Sequence, residues 1–581
     1  MLALKMHKRY YIGMTTRKLF FIVFMAFFAI SGSFAQFEFS KREWNEQTLV
    51  PADSFVYDDL SDIASECGMV TLANSAPLPV GEIRQAMSGI DPEKLSPASR
   101  ARYERIEEYL ASEYYSAGSG VLNVGVKARA AFEVTGRSNN SIARDWDYMH
   151  KYNAQAPIVE VPVFISVSDY VTIESDLRVS ENYWSINESS NWTNIPIGGE
   201  ISGLDFLWPK TAYMSAGVPV NGKYAFNFQL GRGSMEIGTP MLDSVVLSDD
   251  MEAQAYATLS FFSPAIVYNA SVIQLETKKY FYLHRVAFRP FRWMSFSVME
   301  GTLANAELDL KFMNPLMIMH SFNGEGDPVY GEKMKFVSQY MAFTVDVTPV
   351  KNLRLYGLYA QNEFQMPHEL ESAEGRSYPN GMAAQLGAVY NLPVSYGIWR
   401  FGAEGQYVSP WCYMRLTPGN TFISSREDHM TAKPLIYSWI GSQYGADSVS
   451  GTLRADFENF DGRWSAGLGY TFLAHGENDL RKLLTYKDGS GYYFYPASGG
   501  YGTANSPYAS QEDAIAKARD MGLSGTPEFT HSITAEGSFS FNRVITVGGS
   551  FTYLLMINKG HELGAFDQGI DFTATARFNI L

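Results

Sequence analysis

Long runs of alternating apolar and polar residues constrain the fold of this chain more than any other feature. After Val121, apolar residues occupy every second position and share one face of an extended segment: Leu122, Val124, Val126, Ala128, Ala130, Phe132 and Val134. The positions between them are mostly polar residues or glycine. A period of two over this length predicts a β-strand with one apolar face, and such a strand is longer than most strands of soluble sheets.

The same alternation returns along the chain and is sharpest near the C-terminus. It covers residues 171–179, 224–231, 533–541, 545–555 and 572–580, where one face is aliphatic and aromatic and the other holds mainly Thr, Ser, Glu, Asn, Arg and Gly. A small or polar inner face beside an apolar outer face is typical of a membrane barrel with a wet interior.

The connections between these strands support a barrel, because membrane barrels pair short inner turns with long outer loops. Counted back from the C-terminus, residues 556–568 form an outer loop, 542–543 a tight inner turn, 474–528 a long outer loop and 459–462 another inner turn. Near 290–335 the alternation becomes ambiguous, and an inward-folded segment is expected there. We therefore predict that residues 119–581 form an all-β transmembrane barrel of about 16–18 antiparallel strands.

The N-terminus has the pattern of a secretory signal. Basic residues precede the apolar run 19–30, which ends in Ser31-Gly32-Ser33-Phe34-Ala35. This run is shorter than the roughly 20 apolar residues that a membrane-spanning helix needs. Residues 1–35 are therefore predicted to be a cleaved signal peptide, and the barrel is expected in the outer membrane of a diderm bacterium.

Residues 36–118 show helical rather than strand periodicity. Apolar residues recur at helical spacing in 56–67, with Asp53 as the expected N-cap and Gly68 as the stop, and again in 80–87. Ser96-Pro97 opens a third helix. These residues are predicted to form a small α-helical domain in the periplasm.

Composition and motifs argue against several classes of function. The chain has 61 acidic and 46 basic residues and a formal charge of −15, which argues against a nucleic-acid partner. The nine His have no metal-ligand spacing, and Cys67 and Cys412 are expected in different domains. We therefore expect no metal, no cofactor and no catalysis. The alternative of an outer-membrane hydrolase stays open, because Ser, His and an acid can meet from separate strands without a local motif.

Several short motifs occur in an informative order. They are Val50-Pro51-Ala52-Asp53, Gly231-Arg232, Val246-Leu247-Ser248-Asp249, His284-Arg285, Arg289-Pro290, Asn314-Pro315-Leu316, Leu355-Tyr356-Gly357 and Pro410-Trp411-Cys412-Tyr413. In order and spacing they resemble the Wzi-type capsule-assembly proteins of bacterial outer membranes, although Glu236-Ile237-Gly238 replaces that family's Trp-Gly. The resemblance implies an outer-membrane barrel with a periplasmic helical bundle. It also implies a lectin-like role in holding capsular or related polysaccharide at the cell surface, and it supplies no catalytic residues.

The long outer loop contains the predicted polysaccharide contacts. Its aromatic residues lie amid Gly, Ser and Asn: Tyr492, Tyr493, Phe494, Tyr495, Tyr501 and Tyr508. A tyrosine offers an apolar face for sugar C–H groups and a hydroxyl for sugar OH groups. The alternative is that these aromatics pack on the barrel mouth or join the interfacial belt. A helix over 511–521, capped by Ser510, is expected to follow them.

Four arginines are candidate lumen residues. Arg232, Arg285, Arg289 and Arg292 are expected either to meet an anionic glycan or to pair with lumen carboxylates.

The sequence thus predicts a non-catalytic barrel that binds capsular or related surface polysaccharide and attaches it to the cell surface. Its expected partners are that polysaccharide, outer-membrane lipid and a periplasmic protein contacted by the helical domain. A porin-like diffusion channel is the main alternative.

Overall fold

The computed structural model describes residues 40–118, 121–142, 156–181, 191–194, 204–207, 209–220, 223–251, 253–319, 337–364, 366, 379–415, 418–427, 435–478, 509–541 and 544–580. The predicted signal peptide lies outside the described residues.

The first part of the described chain contains three helices and a few short strands. The helices are α1 (Phe55–Glu66), α2 (Val80–Met87) and α3 (Pro97–Leu110), and the strands are β1 (Ser40–Glu43), β2 (Leu49–Val50), β3 (Ser75–Ala76), β4 (Leu78–Pro79) and β5 (Glu113–Gly118). The helices agree with the prediction, but Ser54 caps α1 in place of Asp53 because its side chain accepts the Val56 amide. Gly68, with φ of 64°, follows the end of α1. A cluster of buried apolar residues that includes Leu60, Ile83 and Ile106 holds the helices together.

The rest of the chain is dominated by antiparallel strands. They are β6 (Leu122–Val126), β7 (Arg129–Arg137), β8 (Val159–Val167), β9 (Val171–Glu181), β10 (Asn191–Thr193), β11 (Leu204–Leu207), β12 (Ala212–Gly217), β13 (Ala225–Gly233), β14 (Glu236–Ile237), β15 (Gln254–Phe262), β16 (Ile266–Glu276), β17 (Lys279–Phe291), β18 (Met294–Ala304), β19 (Val337–Val350), β20 (Leu353–Glu363), β21 (Gly381–Val394), β22 (Gly397–Val408), β23 (Ile423–Glu427), β24 (Leu435–Trp439), β25 (Ser448–Asn459), β26 (Trp464–His475), β27 (Glu528–Ser540), β28 (Ile545–Ile557) and β29 (Phe566–Asn579). Helix α4 (Gln511–Arg519) lies between β26 and β27.

Eighteen of these strands close into a ring. Consecutive barrel strands pair antiparallel from β7 through β9, β12, β13, β15–β22 and β25–β29, and β29 pairs back with β7 from Asp571↔Arg137 to Asn579↔Arg129. The predicted class, a transmembrane-type antiparallel barrel of about 16–18 strands, is confirmed. Closure leaves no free sheet edge within the ring.

The two ends of the barrel differ. At one end, here called the turn end, the connections are short, as in 292–293, 351–352 and 395–396. At the other end, the loop end, they are mostly long, as in 476–527, although β16 and β17 are joined by residues 277–278 alone. The predicted alternation of short and long connections is therefore found with this one exception.

Side-chain orientation follows the predicted alternation. On β15, Gln254, Tyr256 and Ser260 point inward and are buried, whereas Leu259 and Phe261 point outward and are exposed. The outward residues of the ring form an apolar belt, which suits a lipid environment. In the part of the chain that the structure describes, no helix combines the length and the apolarity needed to cross a bilayer.

Candidate functional site

A segment of the chain folds into the lumen between β13 and β15. We call residues 234–253 the inner segment. Val245, Val246 and Leu247 at its centre have no exposed surface and pack in a large apolar cluster with inward residues of β15–β22. The lumen of the barrel is therefore filled by the protein itself along this wall, as it must be in a barrel too wide for wall side chains to meet.

Side chains of the barrel wall, together with Tyr413 of the connection between β22 and β25, fix the backbone of the inner segment. The Tyr340 hydroxyl donates to the Val246 carbonyl at 2.6 Å, and the Tyr413 hydroxyl donates to the Val245 carbonyl at 2.5 Å. The side-chain amides of Gln385 and Gln406 both donate to the Asp243 carbonyl at 3.0 Å. Buried polar groups are costly unless they are paired, and here the wall supplies the partners.

A second segment closes the loop end over the same wall. The connection between β22 and β25 contributes buried Trp411, Cys412, Phe422 and Ile440 to the apolar cluster of the inner segment. The Ser248 amide donates to the Ile440 carbonyl at 2.8 Å, which joins the two segments directly. Apart from buried residues near the loop end such as Leu473, Thr530 and Leu554, most inward residues of β26–β28 are only half-buried. The filling is therefore concentrated against β15–β22.

The helical part covers the turn end and reaches into the barrel. The Val70 amide donates to the Arg292 carbonyl at 2.9 Å, and the Asn352 amide donates to the Ser65 carbonyl at 2.9 Å. Strand β3 pairs with β14 of the inner segment, from Glu236↔Ala76 to Ile237↔Ser75. Lumen filling thus begins at the helical part and continues through the inner segment.

A buried ionic network attaches α1 and α3 to the barrel wall. Arg102 bonds Asp62 at 2.8 Å and Glu458 of β25 at 2.8 Å, and Arg105 bonds Asp59 at 2.6 Å. Arg400 of β22 reaches Asp62 at 3.5 Å and the more exposed Asp58 at 3.0 Å. Because the charges alternate in sign and share partners, the network fixes the helices relative to two strands.

Glu82 on α2 is buried and has no hydrogen-bond partner for either carboxylate oxygen among the described residues. Burial raises the pKa of this carboxyl group to about 8, against an ordinary value of 4.5, and the nearby Arg285 only partly offsets the shift. At neutral pH the Glu82 carboxyl group is therefore protonated for most of the time.

This pKa shift makes the free energy of unfolding depend on pH, and we expect Glu82→Gln to remove that dependence. Between pH 4.5 and about 8 the folded state holds a proton that the unfolded state has lost. The free energy of unfolding therefore falls as the pH rises, by at most about 1.4 kcal/mol per pH unit. We follow thermal unfolding by the helical signal in circular dichroism. We expect Glu82→Gln to leave the unfolding temperature unchanged at pH 4 and to raise it at pH 9. Glu104→Gln, at an exposed site on α3, is the control, and equal pH profiles for both variants would contradict the assignment.

The two ends of the longest described connection meet at one carboxylate. Asp447 accepts the amides of Asn478 and Ser524, each at 3.0 Å, and the Ser524 hydroxyl. Glu477 accepts the Thr526 amide at 3.1 Å. We call this cluster the loop clamp, because it brings residue 478 next to residue 524 at the loop end.

The predicted aromatic contacts lie outside the described residues: Tyr492, Tyr493, Phe494, Tyr495, Tyr501 and Tyr508. The loop clamp joins residues 477–478 to residues 524–526, which lie before and after that stretch in the sequence. Helix α4 begins after Ser510 as predicted, with the Ser510 hydroxyl accepting the Asp513 amide at 3.1 Å, and it ends at Arg519 rather than at 521.

The four candidate arginines are not gathered into one lumen site. Arg285 is inward and buried, but its bonds go to Asn74 at 2.5 Å and to Asn269 and Ser75. Arg289 and Arg292 lie at the turn end and contact the helical part through Val70 and Met69.

Arg232 differs from the lumen prediction. It falls on the outward side of β13, in step with exposed Phe226 and Leu230, and its guanidinium donates to the Pro209 carbonyl at 2.8 Å. The sequence already contained the signal for this outward position, because Arg232 lies an even number of positions after Phe226 and Leu230 along the strand.

The inward-folded segment expected near 290–335 is also corrected. Residues 294–304 are strand β18, residues 305–319 lie on the outer wall, and residues 320–336 lie outside the described residues. A segment that does enter the lumen is 234–253. Glycine, proline and aspartate interrupt residues 234–253, so their sequence resembles that of an ordinary loop. Only the apolar residues around Val245 indicated that this segment is buried.

Metal chemistry finds no support in the described part of the chain, which holds no group of three or more His, Cys, Asp or Glu side chains placed to bind an ion. Cys67 and Cys412 are free thiols.

No family model matches the chain. No curated protein matches it in sequence. Among solved structures, it is similar to Wzi of Escherichia coli, described as an outer-membrane protein involved in group 1 capsule assembly and as a carbohydrate-binding β-barrel. That match has a TM-score of 0.54 and 10% identity, and it covers 92% of this chain and 99% of Wzi.

Two further solved structures also match, over less of the chain. An OccD1 (OprD) variant gives a TM-score of 0.39 at 8% identity, covering 79% of this chain and 96% of that one. OccK5 (OpdH) of Pseudomonas aeruginosa gives 0.37 at 9% identity, covering 79% and 98%. The chain therefore has a Wzi-like outer-membrane β-barrel fold, and this fold supports a location in the outer membrane.

Proposed function

We propose that this protein is an outer-membrane barrel that binds a capsular or related surface polysaccharide at its loop end and holds it at the cell surface without catalysis. The filled lumen is the observation that supports this proposal most. Because the inner segment occupies the barrel beside β15–β22, a wide diffusion path is disfavoured there, and the loop end becomes the surface available for function.

The proposed orientation follows from the two ends. The turn end and the helical part would face the periplasm, since short turns of outer-membrane barrels lie on that side, and the loop end would face outward. The fold likeness to a carbohydrate-binding barrel is consistent with this arrangement.

The proposed binding mechanism is non-covalent and multivalent. The loop clamp joins residues 478 and 524, which flank the stretch that holds Tyr492–Tyr495 in sequence, and the aromatic residues of this stretch are the proposed contacts with the polymer. A polymer has many equivalent units, so weak individual contacts add up to avidity.

The test is binding of the purified, refolded protein to the host's own surface polysaccharide. A variant in which Tyr492, Tyr493 and Tyr495 are changed to Ser is expected to lose about fivefold to thirtyfold in affinity, because the loss of stacking contacts worth about 1–2 kcal/mol in total changes the dissociation constant by that factor. Tyr396→Ser, which removes an exposed tyrosine at the turn end, is the matched control and should bind normally. Unchanged affinity in the triple variant would move the site away from this stretch. No saturable binding by the unmodified protein would refute the proposal for that polysaccharide.

A further inference from the structure

The connection that follows β18 lies against the outer wall of the barrel. Phe281 and Leu283 point inward and belong to the lumen cluster, so Tyr282 between them points outward. Nevertheless Tyr282 has no exposed surface. Residues 305–319, which we call the outer strap, cover it: the Asp309 amide donates to the Tyr282 hydroxyl at 3.0 Å, and the Phe312 and Tyr282 rings lie 5.2 Å apart.

The outer strap continues along the wall beyond Tyr282. The hydroxyl of Tyr268, another outward residue, donates to the Pro315 carbonyl. Met317 and Met319 pack with Tyr282 and Phe312 in one buried apolar cluster. The strap therefore runs down the outside of β16 and β17 and is not an element of the lumen.

Beneath the outer strap lies a polar side chain that would otherwise face lipid. His284 and Glu300 are opposite each other in the β17–β18 register and both point outward. His284 is nearly buried and bonds to the Met317 backbone. Ionisable groups on a lipid-facing wall are unfavourable, so the cover supplied by the strap has a physical reason.

The other side of the outer strap is strongly apolar and uncovered. Leu310 is 74% exposed, Leu316 is 89% exposed and Ile318 is 63% exposed. These residues continue the exposed apolar belt of the wall, which includes Phe261 and Ile266 on neighbouring strands. The charged residues of the strap lie near its start, where Glu307 pairs with Lys278 at 2.7 Å and Asp309 with Lys311 at 3.1 Å.

We propose that the outer strap is a membrane-inserted element whose partner is the hydrocarbon of the leaflet at the loop end. Its charged start lies at the headgroup level, and Leu316 and Ile318 lie among the acyl chains. A large apolar surface next to a lipid-facing wall is more stable in contact with acyl chains than in water. This inference concerns anchoring and does not depend on glycan binding.

Site-directed spin labelling of the full chain in phosphatidylcholine vesicles tests the proposal. Leu316→Cys is made in a Cys67→Ala background, and buried Cys412 is retained because it is shielded from the label. Leu386→Cys, 70% exposed on the outward face of β21, is the lipid-facing control. Leu563→Cys, 88% exposed in the connection between β28 and β29, is the water-facing control.

We expect the Leu316 label to match the Leu386 label, with frequent collisions with oxygen and few with a water-soluble nickel chelate. Its oxygen-to-nickel collision ratio should exceed that of the Leu563 label several-fold. A ratio equal to the Leu563 control would place the strap in water and overturn the proposal. Protection from both reagents would mean that protein, including a second copy, covers the strap, and this result would also overturn it. Folding of each variant is verified by heat-dependent mobility in SDS gels.

Discussion

Deleting residues 239–248 is expected to convert the barrel into an open channel. These residues include Val245, Val246 and Leu247, which fill the lumen against β15–β22. The neighbouring strands β13 and β15 stay intact if Gly238 and Asp249 are joined by a short Gly-Ser linker. Barrels of this strand number have an aqueous lumen when it is not filled. In planar bilayers the variant should show stepwise conductance several-fold above that of the unmodified protein.

The control for this deletion shortens a connection that does not enter the lumen. Replacing residues 559–564, between β28 and β29, by the same linker should leave conductance at the level of the unmodified protein. If the unmodified protein already conducts as well as the deletion variant, the inner segment is not the barrier. That result would favour the diffusion channel over polysaccharide attachment.

Arg102→Ala should release the helical part from the barrel. Arg102 is buried and bonds Asp62 and Glu458, while Asp59 lies 3.7 Å away. Without Arg102, only Arg105 and Arg400 remain to neutralise the negative charge of these three carboxylates. Breaking a buried ion pair from one side costs about 3–5 kcal/mol, and the lost energy is expected to appear as weaker docking of α1 and α3.

The measurement for Arg102→Ala is trypsin cleavage within residues 55–110 of the folded protein, followed by mass spectrometry. Cleavage should accelerate by at least about tenfold, because even 1.4 kcal/mol changes the open population tenfold. Arg100→Ala, on the same helix, removes only an exposed ion pair with Glu93 and hydrogen bonds to the nearby carbonyls of 92 and 93, and it should change the rate little. Equal cleavage rates in the two variants would show that the ionic network does not hold the domain.

The barrel itself was predictable from sequence because its signals are local and repeated. Strand parity around Phe551 and Phe572 identifies the lipid-facing side, and both residues are exposed in the structure. Helix signals such as Ser96-Pro97 also act within a few residues. The Ser96 hydroxyl accepts the Ser99 amide at 3.3 Å.

The filling of the lumen was not predictable, because it depends on distant pairs. Asp243 is held by Gln385 and Gln406, and Asn74 bonds both Arg285 and Asp346. No period or local motif connects such residues. For the same reason the sequence assigned the inward fold to 290–335, where the described residues form strand β18 at 294–304 and then, over 305–319, an element on the outer wall.

The candidate site also has a local part that was predictable from sequence and a long-range part that was not. The sequence predicted α4 and its Ser510 cap, whereas the role of Asp447 was missed because its partners, Asn478 and Ser524, are far along the chain. One signal was available: Gly476 and Gly525 flank the long connection, and a Cβ at either would collide with Asp447 or Glu477.

The loop clamp also bears on how this protein can diverge. Because Asp447 ties residue 478 to residue 524, the chain between them begins and ends at fixed points, and the entropy of closing it grows only with the logarithm of its length. Doubling that length would cost only about 0.6 kcal/mol. Insertions and exchanges there are therefore nearly neutral for the fold, so the length and sequence of this connection can change without loss of the barrel.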